Sequence, residues 1–179
     1  MYPVRQSGRR NPSRERVLGA VKELLEAGTF HASTVEEIAA RAGVSRATLY
    51  QHFGSRLGLV DALCELMAAN PLLDAIREAD EVHEFLARVT DFWASEERLL
   101  AQLYGASAVD PAARAFVERQ RRDRYGELRR LVGDRGQDVV AAFAVISSFE
   151  SYLELRRGSA RSKREVVRTL QEMSDRLLG

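Results

Sequence analysis

From Ser13 to the end of the chain, apolar residues recur at intervals of three and four, and nowhere do they alternate at two. A chain with this pattern builds its core from helix faces and has no sheet to offer, so the expected class is all-α. Stripes and breaks together predict about nine helices. Ser13 offers an N-cap to a first helix striped by Val17, Leu18, Val21, Leu24 and Leu25, which Gly28 closes. Thr34 and Glu37 have the spacing of a capping box, opening a short second helix with Val35, Ile38, Ala39 and Ala42 on its apolar face. Gly43, Val44 and Ser45 supply a turn, an apolar plug and a fresh cap. A third helix follows over about 46–53, with Leu49 and Phe53 facing inward, and a fourth runs from Ser55 to about Ala69.

Asn70-Pro71 marks a break between this head and a longer body. In the body, Val82, Phe85, Leu86, Val89, Phe92 and Trp93 form one wide stripe, continued by Leu99, Leu100, Leu103 and Tyr104. Asp110-Pro111 starts a helix carrying Phe116, Val117, Tyr125, Leu128, Leu131 and Val132, and residues 133–136 turn it. Residues 138–156 read as one helix, apolar on nearly every side at first, and residues 158–162 as a polar loop. Val166, Val167, Leu170, Met173 and Leu177 stripe the last helix.

Composition removes several function classes. One cysteine, Cys64, gives no disulfide framework and reads as a small buried hydrophobe. The histidines at 31, 52 and 83 lack zinc-helix spacing, and no nucleophile motif or phosphate loop is present, which speaks against a metal site, a cofactor and catalysis. The longest apolar run, Val139–Ile146, is eight residues, against the ~20 that span a bilayer. No apolar signal core follows the first basic residues, so a cytoplasmic chain without membrane contact is expected. The charge is unevenly spread: net +4 over residues 1–60 and net −3 over the remainder. A basic head on a mildly acidic body suggests that only the head meets a polyanion.

The stretch Thr34–Val60 gives that head a chemistry. Two short helices joined by a tight glycine turn and braced by a preceding helix follow the helix-turn-helix plan, whose second helix enters the major groove of DNA. Apart from Leu49 and Phe53, the third helix presents Arg46, Ala47, Thr48, Tyr50, Gln51 and His52. Arginine reaches guanine edges, Ala and Thr meet thymine methyls, and Tyr and His reach phosphates. Ser45 caps this helix and leaves first-turn N–H groups for a phosphate. Arg5, Arg9 and Arg10 precede the first helix as a basic tail over residues 1–12, either a minor-groove arm or a source of nonspecific attraction.

This segment resembles the DNA-binding domain of the TetR family of bacterial transcriptional repressors. The likeness lies in Thr34, Ile38-Ala39, Ala42-Gly43-Val44-Ser45, Thr48-Leu49-Tyr50 and His52-Phe53, without a break in spacing. It implies base or near-base contacts from Arg46, Ala47 and Thr48, and phosphate contacts from Thr34, Tyr50, His52 and Arg56. Arg56 stands where the family usually has a lysine; the charge is kept and a fork is added. Gly58 lies inside the fourth helix at a cost of about 1 kcal/mol against alanine, either softening the link or simply tolerated.

The resemblance further implies a head at 13–54 and, over 55–179, a linking helix with a ligand-binding and dimerisation domain. The last two helices would pair with those of a second copy, and the homodimer would bind a pseudo-palindromic operator as a ligand-responsive repressor. A small apolar or aromatic effector would sit among Phe92, Trp93, Tyr104, Phe116, Phe149, Glu150 and Tyr152. Trp93, Tyr104 and Tyr152 could supply polar tips, Glu150 a buried carboxylate one turn after Ile146, and His83 an exposed edge. Core packing explains the same aromatics without a ligand, which leaves open a DNA-binding protein whose body only dimerises.

Overall fold

Three helices begin at an Asx-Pro pair, each by the same chemistry. Asn11, Asn70 and Asp110 hold extended backbone, and each side-chain oxygen accepts hydrogen bonds from N–H groups of the first turn. Pro12, Pro71 and Pro111 fill the first helical position, where proline's fixed φ suits the helix and its missing N–H is not needed. The first helix therefore starts ahead of Ser13, the expected cap. The computed structural model describes residues 11–68 and 70–179, without the side chains at 64, 66 and 68. The expected basic tail with Arg5, Arg9 and Arg10, and the burial expected of Cys64, lie outside the described residues.

The class is the expected one, all-α. The described residues form α1 (Pro12–Glu26), α2 (Val35–Arg41), α3 (Arg46–Phe53), α4 (Arg56–Ala68), α5 (Pro71–Arg77), α6 (Val82–Ser95), α7 (Glu97–Ala106), α8 (Pro111–Val132), α9 (Gln137–Ile146), α10 (Phe149–Leu153) and α11 (Lys163–Leu178). Short 3₁₀ turns lie at Phe30–Ala32 and Gly133–Arg135. That is eleven helices rather than about nine, and two places account for the difference. The Asn70 cap gives α5 its own start. The run expected as one helix over 138–156 breaks at Ser147-Ser148, where the Ser148 hydroxyl accepts from Ser151 N at 3.1 Å and caps a new helix. That helix, α10, runs on through a π-helical turn at Glu154–Gly158.

Val17, Val21 and Leu24 of α1 close over Ile38, Leu49 and Phe53 to form the head's core. Full burial of each such side chain contributes about 1.5–3 kcal/mol. α1 also packs on α7, and α4 on α8, so this core runs without interruption into that of the body. There α6 buries Phe85, Leu86, Val89, Phe92 and Trp93, and α11 lies across α6 and α9 through Val166 and Leu170. Ser162 and Glu165 start α11 with a second capping box, whose hydrogen bonds from the Ser162 hydroxyl and backbone hold the Glu165 carboxyl below its ordinary value. Among the described residues, no helix is long and apolar enough to cross a membrane.

Gly58 is neither a soft spot nor a passenger. A Cβ at this position would stand 1.8 Å from the carbonyl oxygen of Phe53. The first turn of α4 thus rests directly on the last turn of α3. Ser55 N donates to Phe53 O at 2.7 Å, and the Ser55 hydroxyl accepts from Gly58 N at 3.0 Å.

Candidate DNA-binding face and ligand cavity

The turn between α2 and α3 depends on Gly43, whose φ of +62° lies in the left-handed region that favours glycine. Its N–H and that of Val44 close onto the carbonyls of Ala40 and Ala39 at 3.1 and 3.0 Å. α2 begins at the expected capping box: Thr34 N donates to Glu37 Oε2 at 2.7 Å, and Glu37 N donates to Thr34 Oγ1 at 3.2 Å. The Thr34 backbone and hydroxyl donors hold the Glu37 carboxyl below its ordinary value. The Ser45 hydroxyl starts α3 by accepting from Thr48 N at 3.0 Å and lies 2.8 Å from the Thr48 hydroxyl.

Leu49 and Phe53 anchor α3 in the core, as their spacing predicts. Arg46, Ala47, Tyr50 and Gln51 are exposed, and Thr48 and His52 half-buried. The Arg46 guanidinium lies 5.3 Å over the Tyr50 ring and 2.8 Å from Glu36. Contact with Tyr50, and then the Glu36 carboxylate, raises its pKa further, so it is always a cation. His52 Nε2 stands 3.5 Å from the amide nitrogen of Asn11, linking α3 to the start of α1.

Arg56 departs from expectation. Its Nε and Nη2 bind Asp110 Oδ2 at 2.9 and 2.8 Å, Nη1 donates to Ser33 O at 2.7 Å, and Nη2 also donates to Phe30 O. The guanidinium lies 3.9 Å over the Phe30 ring, and the side chain is 25% exposed. Each of its three nitrogens thus has a partner within the protein. Asp110, 5% exposed, is the N-cap of α8, so this pair ties the start of α4 and the head's 3₁₀ turn to the body. A second tie, Arg119 to Asp61, joins α8 to α4 further along.

Between α4, α5, α6 and α8 lies a cavity of about 540 Å³. Leu73 and Ile76 of α5 and Phe85, Val89, Phe92 and Trp93 of α6 give it an apolar wall. Glu65 of α4, Arg77 of α5, and Arg119, Gln120, Asp123, Arg124 and Glu127 of α8 complete it. Two of the seven residues expected around an effector, Phe92 and Trp93, therefore line it. Tyr104, Phe149 and Tyr152 gather with Trp93 in an aromatic cluster, their ring centroids 4.9–5.9 Å apart. Phe116 is fully buried in the core.

The polar tips of that cluster are mostly engaged. Trp93 Nε1 donates to the Ser147 carbonyl at 3.1 Å, and the Tyr152 hydroxyl donates to Glu97 at 2.7 Å. Burial, then the bond to Glu97, pushes the Tyr152 hydroxyl up to about 12. Burial opposes ionisation of Glu97, but hydrogen bonds from Tyr152 and Arg157 prevail and lower its pKa. Glu150 is not the buried carboxylate expected. Its side chain is 49% exposed and accepts from Arg121 at 2.8 Å, because the break at Ser147-Ser148 resets the helical phase and turns it outward. His83 is exposed as expected, 2.7 Å from Asp175.

Residues 17–63, from α1 into α4, match the family model of bacterial regulatory proteins, tetR family. Over that segment the chain resembles the tetR family. The HTH-type transcriptional regulator AlkX of Mycobacterium tuberculosis is 34% identical over 99 residues, 55% of this chain and 44% of that protein. The chain thus matches less than half the length of this curated relative. Two solved structures carry the fold over nearly the whole chain. GusR of Salmonella enterica gives a TM-score of 0.72 at 22% identity, covering 97% of this chain and 99% of its own. A putative transcriptional regulator from Saccharomonospora viridis, solved in complex with choline, gives 0.59 at 17% identity, covering 91% and 95%.

In this chain the residue that sequence reading missed is Arg124. The run Arg119–Arg124 reads as a solvated helix face, yet Arg119 and Arg124 line the cavity and Arg124 is 8% exposed. The spacing held a signal: Arg124 lies seven residues after Val117 and four before Leu128, on the buried stripe of α8.

Proposed function

We propose that this protein is a DNA-binding transcriptional regulator of the tetR family, a homodimeric repressor released from a pseudo-palindromic operator by a small molecule. The observation that carries the reading is the outer face of α3: Arg46, Ala47, Tyr50 and Gln51 stand exposed beyond the Gly43 turn while Leu49 and Phe53 fix the helix from behind. Arg46, Ala47 and Thr48 read base edges, with Gln51 beside them. Thr34, Ser45, Tyr50 and His52 meet phosphates. Arg56 is left out, since its donors are occupied within the protein. Residues 13–54 act as the head and 55–179 as linking helix and body. Such a regulator works in the cytoplasm.

The effector site is the cavity beside α6 and α8. Its volume supports a ligand-binding body over one that only dimerises. It borders α4 at Glu65, and α4 is held to α8 by Arg56–Asp110 and Asp61–Arg119. A ligand that spreads these helices acts on the link to the head, a coupling typically worth about 1–3 kcal/mol. Dimerisation uses the last two helices, of which α11 leaves Met173 and Leu177 exposed.

Selection of the purified protein on random duplexes at moderate salt tests this reading. A palindrome with half-sites about 34–36 Å apart or a multiple of that is expected, together with a two-fold mass in sedimentation. No enrichment, repeated after unfolding and refolding to strip any ligand, would sink it. A reporter driven through the selected site decides the sign, with repression expected.

A further inference from the structure

The cavity wall carries a cation that the protein leaves largely unanswered. Among the described residues, the one well-formed acceptor for Arg124 is the Ala144 carbonyl, 3.3 Å from Nη2. Nε and Nη1, three N–H donors between them, have no acceptor among the described residues. The buried hydroxyl of Tyr104 lies beside the guanidinium, close enough to feel its charge and to bond it loosely, but it is neutral and cannot answer that charge. Withdrawing a guanidinium from water for one long hydrogen bond is costly, and persists only where another term offsets it.

The other cations of the wall are matched, Arg77 by Asp74 at 2.9 Å and Arg119 by Asp61. The wall's carboxylates do not serve Arg124: Glu65 binds Arg14 at 3.0 Å, Glu127 binds Arg130 at 3.3 Å, and Asp123 is exposed. Elsewhere on the wall, α5 and α6 offer aliphatic and aromatic surface, including Leu73, Ile76, Val89 and Phe92.

We infer that the cavity binds an amphipathic monoanion, a carboxylate on an aliphatic or aromatic body. The carboxylate draws the free Nε and Nη1 donors of Arg124 onto itself, and the body lies along the apolar wall. One unmatched guanidinium answers one negative charge, and the wall holds no second for a phosphate dianion. This rests on the proposed function, in which the cavity is the effector site.

Titration calorimetry with octanoate, decanoate and phenylbutyrate, each against its primary amide, tests the inference on the full chain. Carboxylates are expected to bind about tenfold or more tighter than their amides, and Arg124→Met to erase that difference. Val89→Trp, which fills the cavity, is expected to abolish binding of both forms. Amides that bind the unaltered protein as tightly as carboxylates, or an Arg124→Met variant that keeps the preference, would overturn the monoanion while leaving the cavity as effector site. If neither form binds the unaltered protein, both readings fall. A second readout needs no ligand: Arg124→Met is expected to raise the melting temperature by removing an unmatched buried charge. A fall would make Arg124 a structural residue and overturn the inference.

Discussion

At position 58 a single carbon atom decides whether α3 and α4 can meet. Because the clash of a Cβ there is with a backbone carbonyl, Phe53 O, no side-chain adjustment relieves it. Gly58→Ala, a favourable change in most helices, is expected to cost about 1–3 kcal/mol here, read from urea denaturation, and to weaken operator binding by tilting α3. Tyr50 has two tasks in the proposed interface, since its ring also carries the Arg46 guanidinium. Tyr50→Ala is therefore expected to lower both affinity and base discrimination, while Tyr50→Phe keeps discrimination. Arg46→Ala is expected to relax preference at one base position by about 1–3 kcal/mol, checked by operator variants in a binding titration. The exposed face of α3 was legible from two inward residues four apart. The need for Gly58 was not, because it lies in the distance between two backbones rather than in any local preference.

Between elements, the decisive contact joins α4 to α8. Removing one partner of Arg56–Asp110 leaves the other's charge and hydrogen bonds unmet. With Arg56 partly exposed, Arg56→Met is expected to cost about 1–3 kcal/mol. Asp110→Asn, which keeps an oxygen for the α8 cap, is expected to cost less than Asp110→Ala. A double-mutant cycle read by thermal unfolding checks the coupling, and additive losses would count against a direct tie. Helix starts were largely readable, because Asx-Pro pairs and capping boxes are local chemistry. The break at Ser147-Ser148 escaped notice since two serines interrupt an apolar run without glycine or proline, and that one hidden cap moved Glu150 from the interior to the surface. The pairing of Arg56 was hidden for a related reason: a basic residue opening a helix looks the same in sequence whether or not it binds an aspartate fifty-four residues away.

Across the whole molecule, titrating groups bound the pH range in which the fold is most stable. Glu37, Glu97 and Glu165 are held below the ordinary 4.5. The unfolded chain binds their protons first, so the stability they lend is complete above that value and is lost as pH falls through their native values. Tyr152 acts in the opposite direction. Its value of about 12 exceeds the ordinary 10.0, so its contribution is complete below 10.0 and is lost as pH rises toward 12. Melting temperature against pH is expected to show a plateau with a limb on each side, and Tyr152→Phe to flatten the alkaline one. The core that runs unbroken from α1 through α7, and from α4 through α8, has a further consequence for engineering. Head exchange between regulators assumes a module that can be cut at a linker. Here the seam crosses packed side chains, so a transplanted head needs a host with a surface shaped like α7, and a clean cut after residue 54 would leave Arg56 with Asp110 but part it from the carbonyls of Phe30 and Ser33.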